Sequence, residues 1–83
     1  MNKIIIYSTS MCPYCIRAKN LLTSLQLEYE DINLNTNPRK FEKLSEKTGW
    51  QTVPQIFINN KFIGGFDDLN NLVEKDELKK FLN

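Results

Sequence analysis

Residues 4–25 read IIIYSTSMCPYCIRAKNLLTSL, a strand pattern that passes directly into a helix pattern. The β-branched and aromatic run at 4–7 is typical of a strand buried on both faces. A helix is predicted over residues 13–25, because apolar residues recur there at spacings of three and four and proline suits a first helical position. Cys12 and Cys15 lie where the two elements meet. The segment therefore predicts a strand, a helix and a thiol pair at their junction.

Residues 27–48 predict a second strand and a second helix. Residues 27–34 alternate weakly between apolar and polar side chains, which favours a short strand. Asn37 is a suitable N-cap for a helix over residues 38–48, and Gly49 stands where helices commonly end. A strand, helix and strand in this order predict a parallel, right-handed unit.

The next part of the chain predicts a β-hairpin. Residues 55–58 and 61–63 are apolar runs that flank Asn59-Asn60. Asparagine tolerates a positive φ, so this pair suits a tight turn between antiparallel strands. The sheet is therefore expected to combine a parallel half with an antiparallel hairpin.

A helical segment follows the hairpin. Gly64-Gly65 ends the hairpin, and Asp67 or Asp68 is the expected cap of the next helix. The helical period breaks at Asp76, which predicts either two short helices or one kinked helix. The predicted order is β-α-β-α-β-β-α, an α/β fold.

Length and composition limit the classes of protein that fit. The chain has 83 residues and a formal net charge of +1, so we expect one domain over residues 1–83 and no nucleic-acid partner. No apolar stretch approaches the roughly 20 residues of a membrane span, and no signal peptide is visible. Two cysteines and no histidine leave too few ligands for a structural zinc site. We therefore expect a cytoplasmic protein without a metal, in reducing surroundings.

Cys12 and Cys15 form a C-x-x-C pair, a spacing typical of redox cysteines in intracellular proteins. Thiol–disulfide exchange needs an accessible thiolate and a second thiol that resolves the mixed disulfide. Cys12 is expected at the helix N-terminus, where free N–H groups and the helix dipole lower the pKa of a thiol. Cys15 is expected one turn further in, so Cys12 is the predicted nucleophile and Cys15 the predicted resolving thiol. Arg17 and Lys19 add positive charge nearby.

Two further segments admit more than one interpretation. A cis Val53–Pro54 bond would direct the Val53 backbone towards an extended ligand, whereas a trans proline would only start the next strand. About 5–6% of X–Pro bonds in folded proteins are cis, which favours the trans form. Residues 64–68, GGFDD, are explained equally well by a turn with a capped helix and by a site for an α-amino-acid group. In the second case free N–H groups would bind the carboxylate and an Asp would meet the ammonium.

Three stretches stand in an order that indicates a family: CPYC at residues 12–15, TVPQIFI at 52–58 and IGGFDDL at 63–69. Together with Ile6-Tyr7, the chain length and the element order, they resemble the dithiol glutaredoxins, most of all the small bacterial type. The resemblance covers essentially the whole chain. It implies a thioredoxin-like fold with a four-stranded mixed sheet and helices on both faces.

The resemblance also implies a glutathione-dependent thiol–disulfide oxidoreductase that reduces glutathione mixed disulfides and protein disulfides. The cysteinyl sulfur of glutathione, the reducing cosubstrate, would meet Cys12, and its backbone would pair with Val53 ahead of a cis Pro54. Its γ-glutamyl end would reach the backbone of Phe66 and Asp67 and the Asp67 carboxylate. The implied glutathione-binding residues are Tyr14, Thr52, Val53, Pro54, Gly65, Phe66 and Asp67.

The chain departs from the family pattern at the glycyl end of glutathione. Family members often carry a lysine three residues before the first cysteine, where this chain has Thr9. Many carry a basic residue after the glycine that precedes the proline motif, where this chain has Trp50. Gln51, Arg39 and Lys40 are candidate substitutes for these cationic contacts.

The family implies glutathionylated proteins, protein disulfides and ribonucleotide reductase as partners, and a monomer without a membrane partner. One alternative is a redoxin reduced directly by a flavoenzyme, which residues 65–68 do not favour because they suit a charged amino-acid end. Another is a carrier of an iron–sulfur cluster ligated by glutathione. Cluster-carrying relatives usually have a glycine and a single cysteine in the motif, unlike Pro13, Tyr14 and Cys15 here.

Overall fold

The computed structural model describes residues 2–83, which form four strands and four helical segments. In chain order these are β1 (Ile4–Ser8), α1 (Pro13–Ser24), β2 (Glu30–Asn33), α2 (Pro38–Thr48), β3 (Gln55–Ile58), β4 (Lys61–Gly64), α3 (Phe66–Glu74) and a terminal 3₁₀ helix (Leu78–Phe81). The predicted order of elements is confirmed; residue 1 of the predicted domain lies outside the described residues. Within the described part of the chain, no helix is both long and apolar enough to cross a bilayer.

The strands form one mixed sheet in the order β2-β1-β3-β4. β1 and β2 are parallel, whereas β1 and β3 are antiparallel, with Ile6 opposite Ile56. β3 and β4 form the predicted hairpin, and its turn residues Asn59 and Asn60 have φ values of 50° and 71°. The expected combination of a parallel half and an antiparallel hairpin is confirmed.

Helices cover both faces of the sheet, so its central strands are buried from two sides. On one face α1 and α3 pack against β1 and β3, and on the other face α2 packs through Leu44 against Phe57. β3 is buried at every position and continues directly from Pro54. The larger cluster consists of Ile4, Ile6, Ala18, Leu22, Ile56, Ile58, Leu69 and Leu78. This four-stranded arrangement is the thioredoxin-like fold that the resemblance implies.

Both long helices begin where the sequence predicts. The Asn37 side chain caps α2 by accepting a backbone hydrogen bond at 3.0 Å from three residues further on. Gly49 ends α2 in the left-handed conformation, with a φ of 79°. α1 begins at Pro13 and ends one residue before the predicted boundary, with Leu25 as its C-cap.

The start of β2 differs from the prediction by three residues. β2 begins at Glu30 and not at residue 27, because Leu27 and Tyr29 reach the core from an irregular connection. Near the C-terminus the chain turns at Asp76, where φ is 55°, between α3 and the 3₁₀ helix. Of the two predicted forms, two separate helices are confirmed.

Candidate functional site

The two cysteines lie at the start of α1, as predicted. Cys12 is the N-cap residue, with an extended backbone (φ −134°, ψ 99°), and Pro13 is the first helical residue. The Cα atoms of Cys12 and Cys15 are 5.2 Å apart, and the two sulfurs form a disulfide. The Cys15 N–H donates to Cys12 Sγ at 3.0 Å. A backbone donor of the first turn is therefore directed at the sulfur, an arrangement that stabilises a thiolate once the disulfide is reduced.

The two members of the pair differ in burial. Cys12 is 8% exposed and Cys15 is 1% exposed. Two large exposed side chains flank Cys12: Met11 is 91% exposed and Tyr14 is 52% exposed. Cys12 is thus the outer sulfur and Cys15 the inner one.

The basic side chains near the pair contact other groups. Lys19 Nζ forms an ion pair with Asp31 at 2.6 Å. The Arg17 guanidinium lies 5.2 Å from the centre of the Tyr14 ring. Within residues 2–83, the hydrogen-bond donor to Cys12 Sγ is thus the helix backbone and not a side-chain cation.

The segment before β3 faces Cys12. The Val53–Pro54 peptide bond is cis, as the resemblance implies and against the general frequency of cis proline. Cys12 Sγ lies 3.8 Å from the Val53 carbonyl oxygen. The start of α1 and the Val53–Pro54 segment therefore form two sides of one site.

A groove of about 150 Å³ lies where the start of α1, the loop at 50–54 and the start of α3 meet. It brings together all of the residues predicted to bind glutathione. Its lining also includes Trp50 and Asp68, which the sequence interpretation did not assign to the site. The lining residues are Tyr14, Trp50, Thr52, Val53, Pro54, Gly65, Phe66, Asp67 and Asp68.

The two unassigned residues have traceable signals in the sequence. Trp50 stands two positions before Thr52, and its ring packs edge-on against Phe62 with the centroids 5.2 Å apart. Asp68 lies directly after Asp67. Both residues are therefore close in sequence to a predicted motif. That closeness does not show that their side chains line the groove.

The start of α3 differs from the prediction. Gly65, and neither Asp67 nor Asp68, is the N-cap residue. The Asp68 carboxylate accepts a hydrogen bond from the Gly65 N–H at 3.0 Å and so closes the first turn from inside the helix. Asp67 is exposed, lines the groove and makes no ion pair within the described residues. Its carboxylate therefore remains available to a cation in the groove.

The two glycines before α3 allow close approach of the groove walls. Gly64 has a φ of +124°, and a Cβ atom there would overlap the Asp68 carboxylate. A Cβ atom on Gly65 would lie 3.3 Å from the Trp50 ring and 3.5 Å from the Pro54 carbonyl oxygen. A larger residue at position 64 would therefore displace Asp68, and one at position 65 would press on the Trp50 ring.

A larger cavity of about 480 Å³ lies along α2, and its lining shares no residue with the groove. Gln51 lines this cavity together with Phe41, Glu42 and other residues of α2. None of the three candidates for the glycyl end, Gln51, Arg39 and Lys40, lines the groove. Across residues 2–83, no group of three or more histidine, cysteine or acidic side chains is arranged to hold a metal ion.

Comparisons with known proteins agree on one family. The glutaredoxin family model matches residues 4–63. Glutaredoxin 1 of Rickettsia prowazekii is 46% identical over 84 residues, which cover 99% of this chain and 88% of that protein. Glutaredoxin 3 of Escherichia coli is 40% identical over 82 residues, which cover 99% of each chain.

Solved structures give the same result. The buckwheat glutaredoxin–glutathione complex superposes with a TM-score of 0.91 at 32% identity, covering 98% of this chain and 76% of that one. A dithiolic glutaredoxin from Trypanosoma brucei brucei superposes with a TM-score of 0.89 at 32% identity, covering 99% of this chain and 88% of that one. The chain therefore belongs to the glutaredoxin family and is a thiol–disulfide oxidoreductase.

Proposed function

We propose that this chain uses glutathione to reduce glutathione mixed disulfides and protein disulfides, with Cys12 as nucleophile and Cys15 as resolving thiol. The observation that carries the proposal is the place of Cys12 Sγ, 3.0 Å from the Cys15 N–H and 3.8 Å from the Val53 carbonyl. A thiolate at this point is stabilised by the helix and lies next to Val53, a residue of the groove lining. It is therefore placed to attack a disulfide that lies along the backbone of Val53.

The groove suits the γ-glutamyl end of glutathione. The first N–H groups of α3 have no partner within the helix, and they lie where an α-carboxylate would bind. The exposed Asp67 carboxylate is placed to bind the neighbouring ammonium. The Val53 backbone would pair with the cysteinyl unit between the two ends. The buckwheat relative, determined as a glutathione complex, supports this assignment. The proposed binding residues are Tyr14, Thr52, Val53, Pro54, Gly65, Phe66 and Asp67.

Reduction of a glutathionylated substrate needs Cys12 alone. The Cys12 thiolate attacks the glutathione sulfur, the substrate leaves as a thiolate that takes up a proton, and glutathione remains bonded to Cys12. A second glutathione thiolate then attacks the sulfur of the bound glutathione. Glutathione disulfide leaves, and the Cys12 thiolate is regenerated.

Reduction of a protein disulfide uses both cysteines. Cys12 attacks one substrate sulfur and forms a mixed disulfide, and the other substrate sulfur leaves as a thiol. The Cys15 thiolate, one helical turn away, attacks Cys12 Sγ and releases the second substrate thiol. The product is the Cys12–Cys15 disulfide, the form found in the structure. Two glutathione molecules return it to the dithiol and leave as one molecule of glutathione disulfide.

We also propose a domain organisation, an oligomeric state, a cellular location and a set of substrates. One sheet with both core clusters built on β1 and β3 supports a single domain over residues 1–83. The edge strand β2 is four residues long and carries Glu30 and Asp31, which discourages edge-to-edge pairing and supports a monomer. A dithiol that must be returned to its reduced form supports a cytoplasmic location. Glutathionylated proteins and protein disulfides, ribonucleotide reductase among them, are the proposed substrates.

A coupled assay tests the proposal. The protein is supplied with a glutathione mixed disulfide, glutathione, glutathione reductase and the reduced nicotinamide cofactor of that reductase. Oxidation of the cofactor is then followed over time. We expect turnover that depends on both glutathione and the protein. A parallel reaction replaces the glutathione system with a thioredoxin reductase, a flavoenzyme that reduces redoxins directly. Turnover only in that second reaction would contradict the proposal.

A further inference from the structure

Gln55 is a fully buried polar residue that the reaction scheme does not use. It is 0% exposed and follows Pro54 as the first residue of β3. Its side chain reaches back along the loop that precedes it, where its hydrogen-bond partners lie. Burial of an amide is unfavourable unless its polar atoms are paired, so these partners indicate what the residue does.

The Gln55 amide is fully paired with the loop and with the end of α2. Its Nε2 donates to the Trp50 carbonyl at 3.2 Å and to the Thr52 carbonyl at 3.0 Å. Its Oε1 lies 2.8 Å from Thr48 Oγ1 and is the nearer of the two acceptors of that hydroxyl proton, the other being the Leu44 carbonyl at 3.1 Å. Two carbonyl oxygens can only accept hydrogen bonds, so the orientation of the amide follows from its neighbours.

The hydrogen bonds close a ring around Trp50. The Trp50 N–H donates to Thr48 Oγ1 at 3.1 Å, Thr48 Oγ1 contacts Gln55, and Gln55 donates back to the Trp50 carbonyl. Both backbone groups of Trp50 are thus held by two side chains. One of these, Thr48, is the last residue of α2, and the other belongs to the buried strand β3.

This ring holds one wall of the groove. Trp50 and Thr52 line the groove directly, and Val53 lies between Thr52 and the cis proline. With both ends of the segment fixed to the core, Val53 has little freedom to turn away from a ligand. Loss of the ring would lower the fraction of molecules with a competent groove, and the apparent affinity falls in proportion to that fraction.

We propose that Gln55, assisted by Thr48, is a positioning residue that holds the Trp50–Val53 segment in the conformation that binds the glutathionyl group. The proposal rests on the proposed function of the groove. It assigns Gln55 no contact with the reacting sulfurs. Its removal should therefore weaken binding and leave the chemistry of Cys12 nearly intact.

The test compares Gln55→Met, which keeps the length of the side chain and removes both donors, with Thr48→Val. Thr23→Val is the matched control, because Thr23 is an exposed helical threonine outside the groove. Binding of S-methylglutathione, which cannot exchange disulfides, is measured from backbone amide shifts of the reduced proteins. Alkylation of Cys12 by iodoacetamide measures thiol reactivity independently of the groove.

We expect Gln55→Met to raise the dissociation constant about tenfold, as for a competent fraction of about one tenth. Thr48→Val should raise it less, and Thr23→Val should leave it unchanged. The KM for glutathione should rise with the dissociation constant, while kcat and the alkylation rate of Cys12 change little. Collisional quenching of Trp50, the single tryptophan, should increase in Gln55→Met as the loop loosens.

The remaining outcomes distinguish failure of the positioning role of Gln55 from failure of the proposed function of the groove. Unchanged binding in Gln55→Met and Thr48→Val, with weaker binding in Asp67→Ala, would overturn the role of the ring and leave the proposed function intact. Unchanged binding in Asp67→Ala as well would contradict the groove itself. Equal losses of binding and of Cys12 alkylation would show general damage and overturn the positioning role. If Gln55→Met does not fold, Thr48→Val decides between these outcomes.

Discussion

Helices α1 and α3 both begin at the groove, but their first turns are closed in different ways. In α1 the N–H of Cys15 is directed at Cys12 Sγ, the sulfur of the proposed nucleophile. In α3 the Asp68 carboxylate accepts a hydrogen bond from the Gly65 N–H. The next N–H groups and the Asp67 carboxylate are left to bind a ligand in the groove. In our proposal the same feature, a helix N-terminus, is thus used once to stabilise a nucleophile and once to hold a substrate.

The largest effects on activity are expected from substitution of the two cysteines at the start of α1. Cys12→Ser should lower both deglutathionylation and protein-disulfide reduction at least about a thousandfold, since loss of a nucleophile removes the reaction path. Cys15→Ser should keep most deglutathionylation and lose most protein-disulfide reduction, because only the second reaction needs an internal resolving thiol. Steady-state assays with a glutathionylated peptide and with a protein disulfide measure the two activities. The assignment of roles would be wrong if Cys12→Ser kept deglutathionylation and Cys15→Ser lost it.

Asp67→Ala tests the proposal that the start of α3 binds the γ-glutamyl end of glutathione. A hydrogen bond to a charged group contributes about 1.5–3 kcal/mol, so kcat/KM for glutathione should fall roughly 10- to 100-fold. Glu74→Ala, at the far end of the same helix, is the control: it removes an exposed carboxylate whose hydrogen bond from Asn70 is long, at 3.3 Å, and it should leave kcat/KM unchanged. Unchanged kinetics in Asp67→Ala would place the γ-glutamyl end outside this groove.

The closure of α3 is tested by a pair of glycine substitutions. Gly64→Ala should lower the free energy of unfolding by about 1–3 kcal/mol from backbone strain, with a further loss because its Cβ atom displaces Asp68. Gly49→Ala also forces alanine into a positive φ, but its Cβ atom meets nothing within 4 Å, so the loss should be about 1–2 kcal/mol. Urea unfolding measures both. A smaller loss at Gly64 than at Gly49 would show that contact with Asp68 is unimportant.

The sequence predicts the α1 side of this comparison better than the α3 side. Cys12 and Pro13 specify a helix start by residue type, so the thiol and the helix end could be placed together. Gly65 caps α3 without a side chain, and a glycine followed by two aspartates leaves the cap ambiguous. Trp50 and the ring around Gln55 depend on side-chain directions that a linear pattern does not specify.

Elements of the fold that depend on residues close in sequence are also predicted better than those that depend on distant contacts. α2 matches its prediction because Asn37 and Gly49 act within one helix. The predicted start of β2 is wrong because Leu27 and Tyr29 are apolar for contact with the core and not for strand pairing. The cis form of Val53–Pro54 required the family resemblance, since no nearby residue distinguishes it from the trans form.

The central claim is that the start of α1 lowers the pKa of Cys12 and not that of Cys15. The direct measurement is the rate of alkylation by iodoacetamide against pH in the two single-thiol variants, Cys15→Ser and Cys12→Ser. In Cys15→Ser the rate should rise and reach its plateau well below the ordinary thiol pKa of about 8.5, because the helix N–H groups favour the thiolate. In Cys12→Ser the buried Cys15 should react slowly and only at higher pH. Coincident profiles for the two variants, or a lower midpoint for Cys15, would contradict the account.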